Sequence, residues 1–291
     1  MAFNKVFKGE TVDEVLDLLD KYNDKGEIIA GGTDIVVAMR NEKKSPNVLI
    51  DISNIEELSY IKEDEDFIEI GGATTFTQIV ESPIFEKGLK GFKKACRSVG
   101  SPQIRNKGTI GGNIINASAA ADSIPPLIAL NSVITLSNKK GSRELKLEDY
   151  FKNWTKEKIK DNELLTSIRF KRPEANEVLT FEKLGLRKAL AISRLSISIF
   201  LSLGENETIK DIRIASGALG KYPIKEVAVE EYIIGKKINE FKPEDSTPIL
   251  QEEMYKRLGG RASFPYKSEA VKGPYLRALK DALNYFDEVV L

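Results

Sequence analysis

Two glycine pairs, each beside hydroxyl- and amide-bearing residues, constrain this sequence most. The first is Ala30-Gly31-Gly32-Thr33-Asp34, and the second is Thr109-Ile110-Gly111-Gly112-Asn113. The first pair follows a short apolar run at residues 27–30, typical of a strand, and precedes an apolar stretch at residues 35–40 that predicts a helix. A strand, a glycine turn and a helix in this order favour close approach of the backbone to a phosphate, with N–H groups facing it.

Each glycine pair taken alone also fits an ordinary tight turn before a helix. Neither matches Gly-x-Gly-x-x-Gly or the P-loop pattern, which disfavours a Rossmann domain and a mononucleotide kinase. We interpret Asp34 as a helix cap or a ribose partner. Asp122 precedes Pro125-Pro126, so we expect it near a helix start, where it suits sugar hydroxyls. Two such turns together suit a pyrophosphate held from two sides.

The sequence contains no histidine and a single cysteine, Cys96. The lack of histidine excludes Ser-His-Asp and Cys-His catalysis and most catalytic zinc sites. One cysteine cannot form a disulfide framework or a self-contained iron–sulfur cluster, which needs about four thiolates. Any redox chemistry therefore requires an organic cofactor. We interpret Cys96, which lies in a predicted helix, as a small packed side chain.

The charges balance, with 44 basic and 44 acidic residues, and no basic stripe indicates nucleic acid. No apolar run approaches a membrane span, and the first residues lack the apolar core of a signal peptide. We therefore expect a soluble, cytoplasmic protein that binds neither nucleic acid nor a membrane.

Hydrophobic periodicity predicts a small α/β unit in the first 52 residues, with a capping box at Thr11. Further strands are predicted at residues 67–70, 133–136, 145–147 and 164–170, and helices at 76–80 and 84–98. After residue 172 the pattern changes to half-buried strands at residues 180–184, 196–203 and 209–215. Helices follow at residues 226–234, 247–258 and 272–290. These patterns predict an α+β protein.

Residues 29–35 and 99–114, which contain the two glycine pairs, together resemble the FAD-binding subunits of molybdenum hydroxylases. That family includes xanthine dehydrogenase, nicotinate dehydrogenase and carbon monoxide dehydrogenase. The resemblance covers nearly the whole chain. It implies an FAD-binding fold of the vanillyl-alcohol-oxidase (PCMH) type. Two α/β subdomains, residues 1–55 and 56–172, would clasp an extended FAD beside a C-terminal α+β domain, residues 173–291.

The resemblance also implies a function and partners. An FAD-carrying electron-transfer subunit would take electrons from a small 2Fe-2S subunit, which receives them from a large molybdopterin-containing subunit. It would pass them to NAD or another acceptor, in a complex of the xanthine or nicotinate dehydrogenase type. The alternatives are a stand-alone flavin oxidase and a non-catalytic nucleotide-binding protein.

Carried over by motif, the resemblance implies FAD contacts and no acid, base or metal ligand. The implied contacts are Ile28, Ile29, Ala30, Gly31, Gly32, Thr33, Asp34, Ile35, Thr109, Ile110, Gly111, Gly112, Asn113, Asp122, Leu165 and Lys183. Asp122 would bind a sugar or ribitol hydroxyl, and Lys183 would reach the flavin. Arg187-Lys188 would lie near the flavin, or form only a solvated basic turn. Trp154 is interpreted as structural.

Overall fold

The computed structural model describes residues 5–153, 158–187 and 190–289. The chain divides into two compact units that interleave along the sequence. The first unit comprises Met1–Glu81, Ser101–Ala117 and Ser132–Lys171, and the second comprises Ser82–Gly100, Ser118–Asn131 and Arg172–Leu291. The three-part division at residues 55 and 172 stays a prediction.

Both units contain helices and strands. The strands of the first unit are β1 (Lys5–Lys8), β2 (Gly26–Ile29), β3 (Val48–Asp51), β4 (Ile61–Glu63), β5 (Phe67–Gly71), β6 (Val133–Asn138), β7 (Gly141–Lys146) and β8 (Leu164–Lys171). Its helices are α1 (Val12–Tyr22), α2 (Ile35–Arg40), α3 (Phe76–Glu81), α5 (Pro102–Arg105), α6 (Ile110–Asn116) and α8 (Leu147–Lys152). The second unit contains α4 (Lys90–Arg97), α7 (Ile124–Ala129), β9 (Glu177–Gly185), β10 (Ser193–Leu203), β11 (Ile209–Gly217), β12 (Ile224–Lys225), α9 (Val227–Ile233), α10 (Thr247–Leu258), α11 (Phe264–Ala270) and α12 (Lys272–Val289).

The first unit holds two sheets. One is parallel, with strand order β1-β3-β2, and the other has five antiparallel strands in the order β4-β5-β8-β6-β7. Thr11 caps α1 because its Oγ1 accepts the N–H of Glu14 at 3.2 Å, as the capping-box pattern predicts. Val15 and Leu19 of α1 are buried against Ile50 of β3 in the apolar core. The predicted α/β unit is therefore present.

The second unit is built on one antiparallel sheet with strand order β12-β11-β10-β9. Ile197 and Ile199 of β10 join an apolar core that also contains Tyr275 and Leu279 of α12. The short helices α4 and α7 belong to this unit, although they precede its sheet by many residues. α12 has 18 residues. Across the described ranges, no helix combines the length and apolarity required to cross a membrane.

Two predicted elements differ from the structure. α4 begins only at Lys90, because 3₁₀ turns at Pro83–Phe85 and Lys87–Leu89 precede it and Lys87 has a φ of 50°. That left-handed backbone interrupts the helix predicted from residue 84. Leu147 begins α8 and is not part of a strand, because β7 ends at Lys146.

Candidate functional site

The first glycine pair turns the chain from the end of β2 into the start of α2. Gly32 has a φ of 71°, a left-handed conformation that favours glycine. At Gly31 the requirement for glycine is steric. A Cβ atom there would lie 1.7 Å from the backbone oxygen of Lys107. The pair is therefore required both by the turn and by close contact with the loop that leads into the second pair.

The turn leaves backbone donors unused at the start of α2. Within the described part of the chain, the N–H groups of Thr33, Asp34 and Ile35 donate to no protein acceptor. The Asp34 side chain does not cap α2, contrary to one interpretation of the sequence. Its carboxylate instead accepts a hydrogen bond from Asn116 Nδ2 at 3.1 Å. Unused N–H groups at a helix start are suited to phosphate oxygens.

The second glycine pair differs, because its N–H groups are all used inside the protein. They donate from Ile110 to Thr74 O (3.0 Å), from Gly111 to Gly72 O (3.0 Å), from Gly112 to Thr109 Oγ1 (3.1 Å) and from Asn113 to Thr109 O (3.0 Å). A Cβ on Gly111 would lie 2.4 Å from Gly72 O. The N–H groups of Ile110 to Asn113 are therefore not free for a phosphate, contrary to expectation. Gly111 serves close packing of backbone on backbone.

Gly72, which was not among the predicted site residues, connects the second pair to Leu165. A Cβ on Gly72 would lie 2.2 Å from Leu165 O, and its N–H donates to Thr166 O at 2.8 Å. The first unit thus brings both glycine pairs and Leu165 into one continuous backbone assembly. The sequence carried a signal for Gly72, since Gly71-Gly72 follows a predicted strand.

The second unit joins Asp122 and Lys183 directly. Lys183 Nζ lies 2.5 Å from Asp122 Oδ2 and also donates to Ser98 O at 3.2 Å. Ser193 Oγ donates to Asp122 Oδ1, and Ser98 Oγ lies 2.9 Å from Oδ2. Burial raises the pKa of Asp122, while the Lys183 charge and the hydrogen bonds act to lower that pKa. No sequence pattern pointed to Ser98 or Ser193.

The remaining candidates have structural contacts or lie outside the described residues. Arg187 Nε donates to Leu190 O at 3.1 Å. Lys188 and Trp154 lie outside the described residues. Cys96 is fully buried in α4, and burial raises the pKa of its thiol. Its burial agrees with the expectation of a packed side chain.

Two family descriptions match the chain in succession. Residues 1–173 match the FAD binding domain in molybdopterin dehydrogenase, and residues 180–282 match the CO dehydrogenase flavoprotein C-terminal domain. The nicotinate dehydrogenase FAD-subunit of Eubacterium barkeri is 34% identical over 97% of this chain and 96% of its own length. The glyceraldehyde dehydrogenase medium chain of Sulfolobus acidocaldarius is 32% identical over 94% and 96% of the two chains.

Solved structures agree with the fold. The chain superposes on CO dehydrogenase from Oligotropha carboxidovorans with a TM-score of 0.87, at 22% identity, over 98% of this chain and 99% of that one. Quinoline 2-oxidoreductase from Pseudomonas putida 86 gives 0.86 at 21% identity, over 98% of each chain. The predicted α+β fold of the FAD-binding PCMH type is confirmed. The chain therefore belongs to the FAD-binding subunits of the molybdenum hydroxylases, as an oxidoreductase subunit whose cofactor is FAD.

Proposed function

We propose that this chain is the electron-transfer subunit of a molybdenum hydroxylase of the nicotinate or xanthine dehydrogenase type. Electrons would enter from the iron–sulfur clusters of a small partner subunit, supplied in turn by a large molybdopterin subunit, and leave to NAD. The cysteine count supports the first part of this proposal, the entry of electrons from a partner subunit. The 291 residues hold one cysteine, fully buried, and no histidine, so cluster ligands must come from outside these residues.

The unused backbone N–H donors of the first unit are suited to the phosphates of FAD. Three consecutive N–H groups at the start of α2, from Thr33 to Ile35, have no acceptor among the described residues, and the surrounding turn is half-buried. Each favourable anion contact at a helix start contributes about 0.3–1 kcal/mol at an exposed site, and more when partly buried. We assign the pyrophosphate and adenosine side to residues 28–35.

The other assigned contacts have different roles. Thr109 to Asn113 would shape the cradle by packing, since the N–H groups of Ile110 to Asn113 are already used. Leu165 is buried in β8, so we expect its contact with the cofactor to be limited. The Lys183 ammonium supplies a positive charge to the flavin side. FAD, when bound, supplies the electron and hydride chemistry. The chain binds and orients the cofactor without a catalytic acid or base.

Reduction of the isolated chain by NADH tests whether NAD is the electron acceptor, without the partner subunits. The isolated chain is loaded with FAD and mixed with NADH without oxygen, while the visible flavin absorbance is followed. If NAD is the physiological acceptor, NADH bleaches the band, because hydride transfer to FAD is the reverse of the proposed exit step. Bleaching by dithionite but not by NADH would exclude NAD and leave another acceptor.

Two controls exclude the alternatives to an electron-transfer subunit. A stand-alone oxidase would turn over small alcohols or amines without partners, and a non-catalytic binder would show no reduction by any physiological donor. We expect neither behaviour. Co-purification of the chain from its native cell should instead recover a small 2Fe-2S subunit and a large molybdopterin subunit. Recovery of the chain as a lone flavoprotein would contradict the proposal.

A further inference from the structure

Three cations of the second unit lie together without an acidic partner among the described residues. They are Arg194 of β10, Arg261 between α10 and α11, and Lys267 of α11, and we call them the basic triad. We infer that the basic triad is an anion site, which holds a phosphate of the dinucleotide that accepts electrons from the flavin. This inference rests on the proposed function of the chain and names residues that would bind the acceptor.

The electrostatics of Lys267 show that the three cations are neighbours. Its ammonium donates a hydrogen bond to the backbone oxygen of Ala218. Burial lowers the pKa of Lys267, and the positive charges of Arg261 and Arg194 lower it further. Exposed charges influence one another only over short distances, because salt screens them beyond about 10 Å. The basic triad therefore occupies one region of the surface.

The basic triad has unused hydrogen-bond donors. An ammonium carries three N–H groups and a guanidinium five. Among the described residues, the Lys267 ammonium donates only to Ala218 O, and the guanidinium groups of Arg194 and Arg261 donate to no acceptor. Although the chain has 44 basic and 44 acidic residues, positive charge is in local excess here. Guanidinium groups bind phosphate oxygens through paired N–H groups, so the basic triad is suited to a phosphate.

The backbone of β10 leaves Arg194 available to a ligand. In the pairing of β10 with β9 the register shifts between Ser193 and Leu195, and Arg194 is left out of the pairing. Ser193 and Leu195 are buried, whereas Arg194 is exposed. An irregularity of this kind re-aims a side chain and is frequent beside functional sites. Truncation of Arg194 should therefore remove no contact from the core.

The basic triad lies beside a residue that the family resemblance implies as an FAD contact. Arg194 directly follows the serine whose hydroxyl donates to Asp122 Oδ1. Ala218, which accepts the ammonium of the triad, donates its N–H to Ala119 O at 2.6 Å, close to Asp122 in the sequence. An acceptor dinucleotide must place its nicotinamide at the flavin to receive hydride, and its phosphates lie beyond the ribose. The basic triad is placed to hold one of them.

The deciding experiment is calorimetric titration of the FAD-loaded full chain with NAD, which measures binding without turnover. Arg194→Gln and Arg261→Gln should each raise the Kd of NAD about 3- to 10-fold, and the double variant about 10- to 100-fold. The Kd of FAD and the melting temperature should stay at their wild-type values, because both side chains are exposed. An unchanged Kd of NAD in the double variant would overturn the inference. So would a raised Kd of FAD, since the cofactor would then occupy the triad.

Salt dependence separates a charge contact from a structural effect. Raising the salt concentration should weaken NAD binding to the wild type more than to the double variant, because the variant has fewer charges to be screened. Inorganic pyrophosphate should compete with NAD for the wild type. Equal salt dependence in the two proteins, or no competition by pyrophosphate, would contradict a phosphate contact.

The matched control is Lys256→Gln, which removes one positive charge from α10 of the same unit. Lys256 is exposed and already pairs with Glu253 at 2.6 Å. This variant should leave the Kd of NAD unchanged. If it weakens NAD binding as much as Arg261→Gln does, net charge and not the basic triad governs binding, and the inference falls.

The wild type separates failure of the inference from failure of the proposed function. If the FAD-loaded wild type binds no NAD and is not bleached by NADH, NAD falls as the acceptor and the basic triad loses its ligand. If the wild type binds NAD and both arginine variants bind it equally well, only the basic triad falls.

Discussion

The two glycine motifs require glycine largely because neighbouring backbone lies close to Gly31 and Gly111. Gly31 faces Lys107 O, and Gly111 faces Gly72 O, so a side chain at either position would collide with the protein before it met a ligand. The sequence identified both pairs as candidate binding segments. It did not reveal what they touch, because Lys107 and Gly72 are distant in sequence and come close only through the fold.

Gly31→Ala should therefore destabilise the first unit itself. A Cβ 1.7 Å from Lys107 O cannot be accommodated by a rotamer change, and we expect a loss of about 3 kcal/mol or more in the free energy of unfolding. Urea titration of the apo chain measures this loss. Gly260→Ala is the control, because no heavy atom of the described residues lies within 4 Å of the added Cβ, and its change should stay within about 1 kcal/mol. Wild-type stability of Gly31→Ala would contradict the close contact.

Thr109 offers a smaller test of the second pair. Its Oγ1 caps α6 by accepting the N–H of Gly112. Thr109→Ala should cost about 1 kcal/mol of unfolding free energy, whereas Thr109→Ser, which keeps the hydroxyl, should recover most of it. Equal losses in the two variants would show that the methyl group of Thr109, and not the cap, stabilises this turn.

Local patterns predicted individual helices well where capping and apolar spacing agreed. α10 has the bounds expected from the sequence, Thr247 to Leu258. α4 does not, because the left-handed Lys87 and the approach of Gly88 to Glu177 O favour 3₁₀ turns before it. Tertiary contacts of this kind override an apolar repeat.

The junction between β7 and β8 depends on a buried carboxylate that makes the five-stranded sheet sensitive to acid. Glu163 is 2% exposed and accepts from Arg143 Nε at 2.8 Å and from the N–H of Lys160 at 2.9 Å. Burial acts to raise the pKa of Glu163, but the Arg143 and Lys160 hydrogen bonds and the Arg143 charge outweigh it and lower that pKa below 4.5.

A depressed folded-state pKa fixes the sign of the pH effect. The stability from Glu163 is present above pH 4.5, its usual pKa, and is lost as the pH falls through the lower folded value. The wild type should exceed Glu163→Gln in melting temperature at neutral pH, and the difference should shrink on acidification through this range. A difference that is constant or grows as the pH falls would contradict the ion pair with Arg143.

Each of the two units is assembled from three segments that are separated in the sequence. The family resemblance identified the fold class, the cofactor and the two glycine segments. It did not indicate that α4 and α7 join the C-terminal sheet, because such grouping depends on contacts such as Gly91 against Leu179 O. The hydrogen bonds of Asp122 have the same origin, since Ser98 and Ser193 are brought to Asp122 by long-range packing.

A fragment of residues 1–173 should consequently fail to behave as a domain. It would carry α4 and α7 without β9 and β10, so the buried side chains of Phe92 and Leu127 would lose their cover. We expect broad, non-cooperative unfolding and aggregation of the fragment. Cooperative unfolding together with the FAD affinity of the full chain would contradict the interleaved architecture.

The central claim is that this chain binds FAD by itself, with the phosphates at the glycine turn of the first unit. Titration of the purified apo chain with FAD, followed by calorimetry and by melting temperature, tests it most directly. The account predicts saturation at a single FAD per chain and stabilisation of about 2.7 kcal/mol at a hundredfold excess over Kd. Gly32→Ala, whose left-handed φ disfavours a side chain, should weaken this binding. Absence of saturable FAD binding by the folded wild-type chain would contradict the account.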